Sequence, residues 1–333
     1  MNKNKHLPFA LALLPAALFA PYLSAESTLP AESLSAPMPT IYGDIRAQAA
    51  WHQDKDYTTD IYQATVGAIG NLGYKQLKVR YQLEAEYSES EHSAAKDNDL
   101  IVREANIITM LPPWGGLYIG SGTTGTWADL YSKVDIFESN NMERHSDNLL
   151  FGGKRYATNQ LAYMTPWWGG FQFKVAVVSP NDSNNNDADI IGLRALYKQD
   201  NFSLVVNHSW TDKVMLPAGT EHDSQRTLIA TSYQWADLYF GAVAELDYDA
   251  PFGERQVYGV SAKYTYGKTA FSLGAQYADW NNAAVENDVL GLVNVRHDLN
   301  KHLAVFAEGA LYSEDKPTTA KGDNINLGLI VSF

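Results

Sequence analysis

The sequence predicts an all-β protein, a 16-stranded antiparallel transmembrane β-barrel. Three observations predict this fold. Many segments have a period of two, the connections alternate between short turns and longer polar loops, and one polar stretch of more than 30 residues, 121–154, separates two strands. Long stretches without regular structure are uncommon inside compact domains unless they are functional, so we expect 121–154 to have a functional role.

Alternation of apolar and polar side chains is the strongest of these signals. Residues 77–87 alternate without exception, and 238–248, 258–266, 271–277 and 325–333 follow the same pattern almost completely. Period two gives a strand one apolar and one polar face. Sixteen such segments are found, most of them near the roughly 9–11 residues that a tilted strand needs to cross a bilayer. An even count, with both chain ends on one side, is typical of a closed antiparallel barrel.

The connections and the tryptophans give independent support. Short turns alternate with longer loops along the chain, as in barrels of the outer-membrane type. Seven of the eight tryptophans lie next to a turn or loop, where such barrels carry two aromatic girdles. Those seven are Trp51, Trp114, Trp167, Trp168, Trp210, Trp235 and Trp280, and Trp127 lies within 121–154.

The start of the chain and the composition limit the class of protein. Residues 1–25 combine two lysines, an apolar run and small residues before a cleavage site near Ala25, which predicts a secretory signal peptide. A short segment, 26–40, then precedes a barrel over 41–333. The formal net charge of −13 argues against nucleic acid as a partner, and the absence of cysteine excludes disulfides and thiolate metal sites. No metal site, cofactor or catalytic residue is expected.

Several motifs carry a resemblance to a known family. They are IYGDIRAQ at 41–48, VGAIGNLGYKQLKVRYQLEAEY at 66–87, YIGSGTTGTWADLY at 118–131, SDN at 146–148 and the terminal NLGLIVSF. With them the chain resembles the general porins of Gram-negative bacteria over essentially its whole length after the signal peptide. Two motifs depart from the family pattern: no arginine follows Gly120, and Phe151-Gly152-Gly153 stands where a PEFGG-like signature is usual.

The resemblance implies an assembly and a location. Porins of this family are homotrimers of 16-stranded barrels in the outer membrane, each narrowed by its third loop, so the resemblance implies that the third loop, about 121–154 here, folds into the lumen. It also implies that the terminal aromatic residue, here Phe333, is the signal read by the barrel-assembly machinery. Outer-membrane lipids, lipopolysaccharide and small polar solutes are the other partners it implies.

The pore residues are predicted from the faces of the strands. A barrel of this size holds water, so charged side chains can point inward. We expect a basic wall facing an acidic loop, which together create a transverse field across the lumen. The basic wall is Arg46, Lys78 and Arg80. The acidic loop residues are Asp129, Asp135 and Glu138.

These expectations define a passive diffusion channel for small hydrophilic solutes and ions, with weak cation selectivity. One alternative is a substrate-preferring porin, for example for oligosaccharides, which needs more lumenal aromatic residues than Tyr42, Trp127 and Tyr131 supply. Two others are an outer-membrane barrel enzyme, such as a lipase or protease, and a soluble exported β-sandwich that binds glycans.

Overall fold

The computed structural model describes residues 38–53, 56–88, 100–139, 150–179, 188–216, 220–249, 254–281, 287–313 and 322–333. These residues form one closed barrel of sixteen antiparallel strands, as the sequence predicts. The strands are β1 Thr40–His52, β2 Thr58–Tyr74, β3 Leu77–Tyr87, β4 Leu100–Leu111, β5 Gly115–Thr123, β6 Tyr156–Met164, β7 Phe171–Val178, β8 Ile190–Gln199, β9 Phe202–Thr211, β10 Ser224–Trp235, β11 Leu238–Tyr248, β12 Arg255–Tyr266, β13 Thr269–Trp280, β14 Asp288–Asn300, β15 Leu303–Tyr312 and β16 Asn324–Ser332.

Each strand pairs with its neighbours in the sequence, and β1 pairs with β16 to close the barrel. At the closure, the amide of Phe333 donates to the carbonyl of Gly43 over 3.0 Å, and the Gly43 amide donates back to Phe333 over 3.1 Å. The last residue of the chain is therefore part of the seam. Closure leaves no sheet edge with unpaired backbone groups, which a strand exposed to lipid could not tolerate.

Two rows of side chains alternate along the strands. In β16, Ile325, Leu327 and Leu329 are exposed, whereas Asn324 and Asn326 between them are buried. We call the exposed apolar row the outer row. The side chains that lie between its members along each strand form the inner row. This alternation follows directly from the period-two pattern of the sequence, because successive side chains of a strand point to opposite faces.

The two ends of the barrel differ. One end has turns as short as Asp200–Asn201 and Gly267–Lys268, and we call it the short-turn end. Asp200, Ala236 and Gly267 adopt positive φ angles of 48°, 49° and 59° there, which is the left-handed conformation that tight hairpins need. The other end carries the longer connections, including 124–155, and is the long-loop end.

All seven tryptophans expected next to turns and loops lie there, and six of them are exposed, whereas Trp280, the last residue of β13, turns to the inner row and does not join the outer girdle. Trp280 continues the inner row of Gln276 and Ala278, and the Arg255 guanidinium lies 5.1 Å from its ring centroid. The strand alternation runs unbroken to this residue and turns it inward. Trp127 is buried in the apolar cluster described below.

Some expectations concern residues without a structural description. The predicted signal peptide, most of segment 26–40, and the SDN motif lie outside the described residues. In the part of the chain that the structure describes, no helix is both long and apolar enough to cross a membrane.

Candidate functional site

The connection between β5 and β6 is the longest in the described chain and contains its own local structure. A short helix, α1 (Gly125–Asp129), begins at Thr124, whose hydroxyl accepts from the Trp127 amide over 3.2 Å. A threonine at this position satisfies one of the unpaired amides at a helix start. A 3₁₀ turn, Tyr131–Lys133, follows immediately. We call residues 124–155 the loop segment, of which 124–139 and 150–155 are described.

The loop segment packs an apolar face against one part of the barrel. Its apolar residues are almost completely buried: Trp127, Leu130, Tyr131, Val134, Phe137, Leu150 and Phe151. They form one cluster with inner-row residues of β8–β15, among them Leu196, Leu228, Val257, Leu290 and Ala310. Full burial of a large apolar side chain contributes about 1.5–3 kcal/mol, so this face holds the segment firmly.

Two glycines allow the aromatic rings to lie directly on the wall. A Cβ atom at Gly259 would lie 2.7 Å from the Phe151 ring, and one at Gly274 would lie 2.6 Å from the Phe137 ring. Both positions are on the inner row, where any larger residue would displace these rings.

Glu308 on β15 anchors one side of the loop segment. Its carboxylate, which is only 2% exposed, accepts from the amides of Glu138 over 2.8 Å and Ser139 over 3.3 Å, and from the Ser139 hydroxyl. Asn294 on β14 also donates to it over 2.8 Å. A buried carboxylate needs several donors to offset its lost hydration, and the loop backbone supplies two of them.

Glu245 on β11 anchors the other side. It accepts from the Tyr131 hydroxyl and, over 2.8 Å, from the Gly152 amide. Arg255 donates to Glu245 and to Asp247, each over 2.7 Å. Burial and the neighbouring carboxylate raise the pKa of Tyr131 well above its ordinary value, so the phenol remains a donor.

Lys133 supplies a third set of contacts between the loop segment and the wall. Its carbonyl accepts from the Tyr239 hydroxyl over 3.0 Å and from Ser261 over 3.1 Å, while its ammonium donates to Ser203 over 3.0 Å. Burial lowers the pKa of the Lys133 ammonium, and nearby Lys198 adds to the effect. Strands β9, β11 and β12 therefore hold the segment through polar contacts as well as through the apolar cluster.

The loop acids are paired with bases on the wall. Glu138 contacts Arg296 over 2.8 Å and Arg46 over 3.4 Å, so the structure brings together one acid and one base that the sequence predicts to face each other. Asp129 instead contacts Lys174 and Arg194, each over 2.8 Å. Burial alone would raise the pKa of the Asp129 carboxyl, but these two cations hold it below its ordinary value.

The other predicted site residues lie elsewhere. Lys78 and Arg80 are exposed near the short-turn end of β3, and Arg80 donates to Gln82 over 2.9 Å. Asp135 is half-buried just after the 3₁₀ turn, where its amide donates to the Tyr131 carbonyl over 2.9 Å. The sequence analysis missed Lys174, Arg194 and Arg296. Lys174 and Arg194 each lie between two apolar residues and Arg296 follows Val295, so all three could have been assigned to the inner row.

Inner-row side chains on the first strands bond mainly to one another. The Tyr42 hydroxyl donates to Glu84 over 2.8 Å, and Gln82 donates to Tyr42 over 2.6 Å. Glu104 accepts from Asn106 over 2.7 Å and from the Thr123 amide over 2.9 Å. Within the described residues, the apolar cluster of the loop segment includes no side chain from β1–β7. The polar side chains of this half of the inner row are not covered by that cluster.

A closed barrel of sixteen strands with an apolar outer row and a polar, charged inner row defines a transmembrane β-barrel of the channel-forming size class. The family model for Gram-negative porins matches residues 10–317. The chain therefore belongs to the Gram-negative porin family, as its motifs indicate. No curated protein matches the sequence.

Solved structures with the same fold include several porins. The OmpF of Salmonella typhi, in complex with daunomycin, has a TM-score of 0.72 and 16% identity, covering 89% of this chain and 97% of that chain. An anion-selective porin from Comamonas acidovorans has a TM-score of 0.70 and 15% identity, covering 89% and 99%. A trimer form of OmpT, an outer membrane protein of Vibrio cholerae, has a TM-score of 0.70 and 16% identity, covering 90% and 100%.

Proposed function

We propose that this protein is a passive diffusion channel for small hydrophilic solutes and ions in the outer membrane, with the loop segment folded into the lumen as its constriction. The observation that carries the proposal is the division of the inner row. Strands β8–β15 present apolar side chains that the loop segment covers, while the inner row of β1–β7 lies outside that cluster. The loop segment reaches the β1–β7 half through the contacts of Glu138 with Arg46 and Tyr62 and of Asp129 with Lys174. Solutes pass between these contacts, along β3–β6.

The chemistry of this passage suits small polar solutes. Tyr42, Gln82 and Glu84 line it with donors and acceptors, so a polar solute exchanges water for equivalent partners. An apolar solute must displace ordered water without such compensation. Trp127 and Tyr131 are buried in the apolar cluster, so their rings are not available to stack on an oligosaccharide in the lumen.

We propose weak cation selectivity. The formal net charge of −13 favours cations near the channel, but two acids of the constriction, Asp129 and Glu138, lie in ion pairs with the wall. Paired charges largely cancel beyond a few ångströms in water, where the Debye length is about 10 Å at 0.1 M salt. The preference is therefore small, and it decreases as salt is raised.

The proposal includes export and assembly. Residues 1–25 act as the signal peptide, and the mature chain forms a homotrimer among outer-membrane lipids and lipopolysaccharide. A trimer form is recorded for the Vibrio cholerae structure of this fold. Small outer-row residues on the first strands, Ala47, Ala49, Ala64 and Ala68, allow close approach between barrels, whereas Gly43 is buried beside the Phe333 ring.

The experiment that tests the function is reconstitution of the purified protein in a planar lipid bilayer. We expect stepwise, ohmic conductance in groups of three, and liposome swelling with small sugars and amino acids that falls with solute size. A barrel enzyme with a filled lumen gives no such conductance, and a soluble glycan-binding sandwich does not insert.

Phe333 provides a separate prediction about assembly. Its ring is 57% exposed in the outer row, and its backbone closes the seam with Gly43. Deleting Phe333 removes both that bond pair and the terminal aromatic, so we expect less heat-modifiable trimer in outer-membrane fractions with export unchanged. The Phe333→Tyr variant, which keeps an aromatic ring, is the matched control. Equal amounts of trimer from the deletion and the wild type would contradict the assigned role.

A further inference from the structure

Charged side chains on the strands are segregated along the barrel axis. The sixteen strands carry eleven bases and eleven acids, so the wall as a whole is neutral. Taking the four residues of each strand that lie nearest the short-turn end, we find five bases and one acid: Lys78, Arg80, Lys174, Lys198, Lys263 and Asp298. The four residues of each strand nearest the long-loop end include seven acids and three arginines in all.

The five bases of the short-turn end lie on the inner row. Lys198 pairs in register with buried Ser203, and Lys263 pairs with buried Ser272. Lys174 lies opposite Arg194 and follows the exposed Phe173. The same alternation assigns Lys78 and Arg80 to the inner row, between the apolar residues of β3. All five therefore surround one mouth of the lumen.

Four of these bases carry uncompensated charge. Among the described residues, Lys78, Arg80, Lys198 and Lys263 form no ion pair, although charged residues elsewhere on the wall do. Two of them lie near aromatic rings instead. The Lys198 ammonium is 5.6 Å from the centroid of the Trp167 ring, and the Lys263 ammonium is 5.7 Å from the centroid of the Tyr239 ring. A ring leaves the charge of an ammonium available to an anion, whereas a carboxylate would cancel it.

The arginines of the long-loop end, by contrast, lie in ion pairs with acids. Arg103 lies 3.4 Å from Glu84, and Arg255 lies 2.7 Å from Asp247. The acids outnumber these arginines, so that end is net negative. Low-dielectric walls focus such fields into the aqueous lumen. The two mouths of the barrel therefore present opposite potentials to a charged solute.

We propose that the short-turn mouth is a docking site for polyvalent oxyanions, such as phosphorylated or polycarboxylate solutes, and that they reach it only from the side of the short turns. The inference rests on the proposed channel function. The bases lie on β3, β7, β8 and β12 around the mouth, so they attract a polyanion through their summed field, and the Arg80 guanidinium binds two anionic oxygens in bidentate fashion. Further passage is opposed by the loop segment and by the acidic long-loop end, so a docked polyanion blocks the current.

The test uses inorganic tripolyphosphate as the probe on single channels in a planar bilayer. We expect block from one chamber only, and its half-blocking concentration should rise steeply between 0.1 and 1 M salt, as the Debye length falls from about 10 Å to about 3 Å. In a variant with Lys78, Arg80, Lys198 and Lys263 all replaced by Gln, we expect the half-blocking concentration to rise by about tenfold or more, because the field that attracts the polyanion is removed.

A control removes bases from the other end of the barrel. Lys154 and Lys213 lie in connections of the long-loop end, so the variant Lys154→Gln with Lys213→Gln should keep one-sided block close to that of the wild type. The variant Lys198→Gln with Lys263→Gln removes the same number of charges from the short-turn mouth and should weaken the block. Equal block from both chambers, or wild-type block in the first variant, would overturn the inference. Sidedness is measured on the wild type alone, so this arm does not depend on how the variants assemble. Absence of any conductance would contradict the proposed function itself.

Discussion

The Glu308→Ala variant should show a larger and noisier single-channel current than the wild type, and should admit larger solutes. Glu308 accepts from the amides of Glu138 and Ser139, from the Ser139 hydroxyl and from Asn294. Hydrogen bonds to a charged group each contribute roughly 1.5–3 kcal/mol, and donors left buried without an acceptor add a desolvation cost. The loop segment should therefore leave this part of the wall for much of the time, which widens the passage.

The contacts of Glu308 also define the controls. Glu308→Gln keeps one acceptor oxygen and should give an intermediate current. Asn326→Ala removes a buried polar side chain on the neighbouring strand that bonds to Asn324, so its current should match the wild type. The measurement is single-channel current with its noise spectrum, together with swelling rates for a series of sugars. A wild-type trace from Glu308→Ala would show that this anchor does not hold the loop segment.

We expect the combined variant Asp129→Asn, Asp135→Asn and Glu138→Gln to reverse the weak cation preference and become anion-selective. Loss of Asp129 leaves Lys174 and Arg194 without their carboxylate, and loss of Glu138 does the same for its contacts with Arg46 and Arg296. The substituted side chains have nearly the same volume, so the exclusion size should barely change. The zero-current potential in a tenfold salt gradient should shift by on the order of 20 mV, compared with a limit of about 59 mV for a channel that passes only one kind of ion.

A control variant with the same change in net charge shows whether the ion selectivity depends on the loop acids or on the charge of the whole chain. Asp200→Asn, Asp237→Asn and Glu221→Gln lie in turns or loops, and their combination should keep the potential near the wild-type value. If the wild type is anion-selective, or if the constriction variant keeps the wild-type potential, then the loop acids do not control the ions in the pore.

The strand pattern and the long loop could be predicted from the sequence because they depend on local physics. Period two, tight turns and an even strand count follow from backbone geometry, which is why all sixteen strands and the inward direction of Arg46 are recovered. The partners of the loop segment depend on long-range packing. Asp129 is 45 residues from Lys174 and 65 from Arg194, and no local signal indicates which bases a loop reaches.

The apolar inner row of β8–β15 is the informative exception to the pattern. Leu228, Leu290 and Leu292 lie where a water-filled barrel normally has polar residues. In the sequence they resemble irregularities of the alternation. The structure explains them, because they are the surface that the loop segment covers. A departure from a strong local pattern was therefore the available signal for the position of the loop.

Accessibility of single cysteines tests the central claim most directly, namely that solutes pass between the loop segment and β1–β7. The chain contains no cysteine, so each introduced thiol is unique. Ala162 on β6 and Ala176 on β7 are partly exposed, whereas Ala230 on β10 and Ala310 on β15 are only 1% exposed within the apolar cluster. A membrane-impermeant methanethiosulfonate should reduce the current through open channels of Ala162→Cys and Ala176→Cys, and leave Ala230→Cys and Ala310→Cys unchanged. Loss of current at the second pair, with none at the first, would contradict this account of the passage.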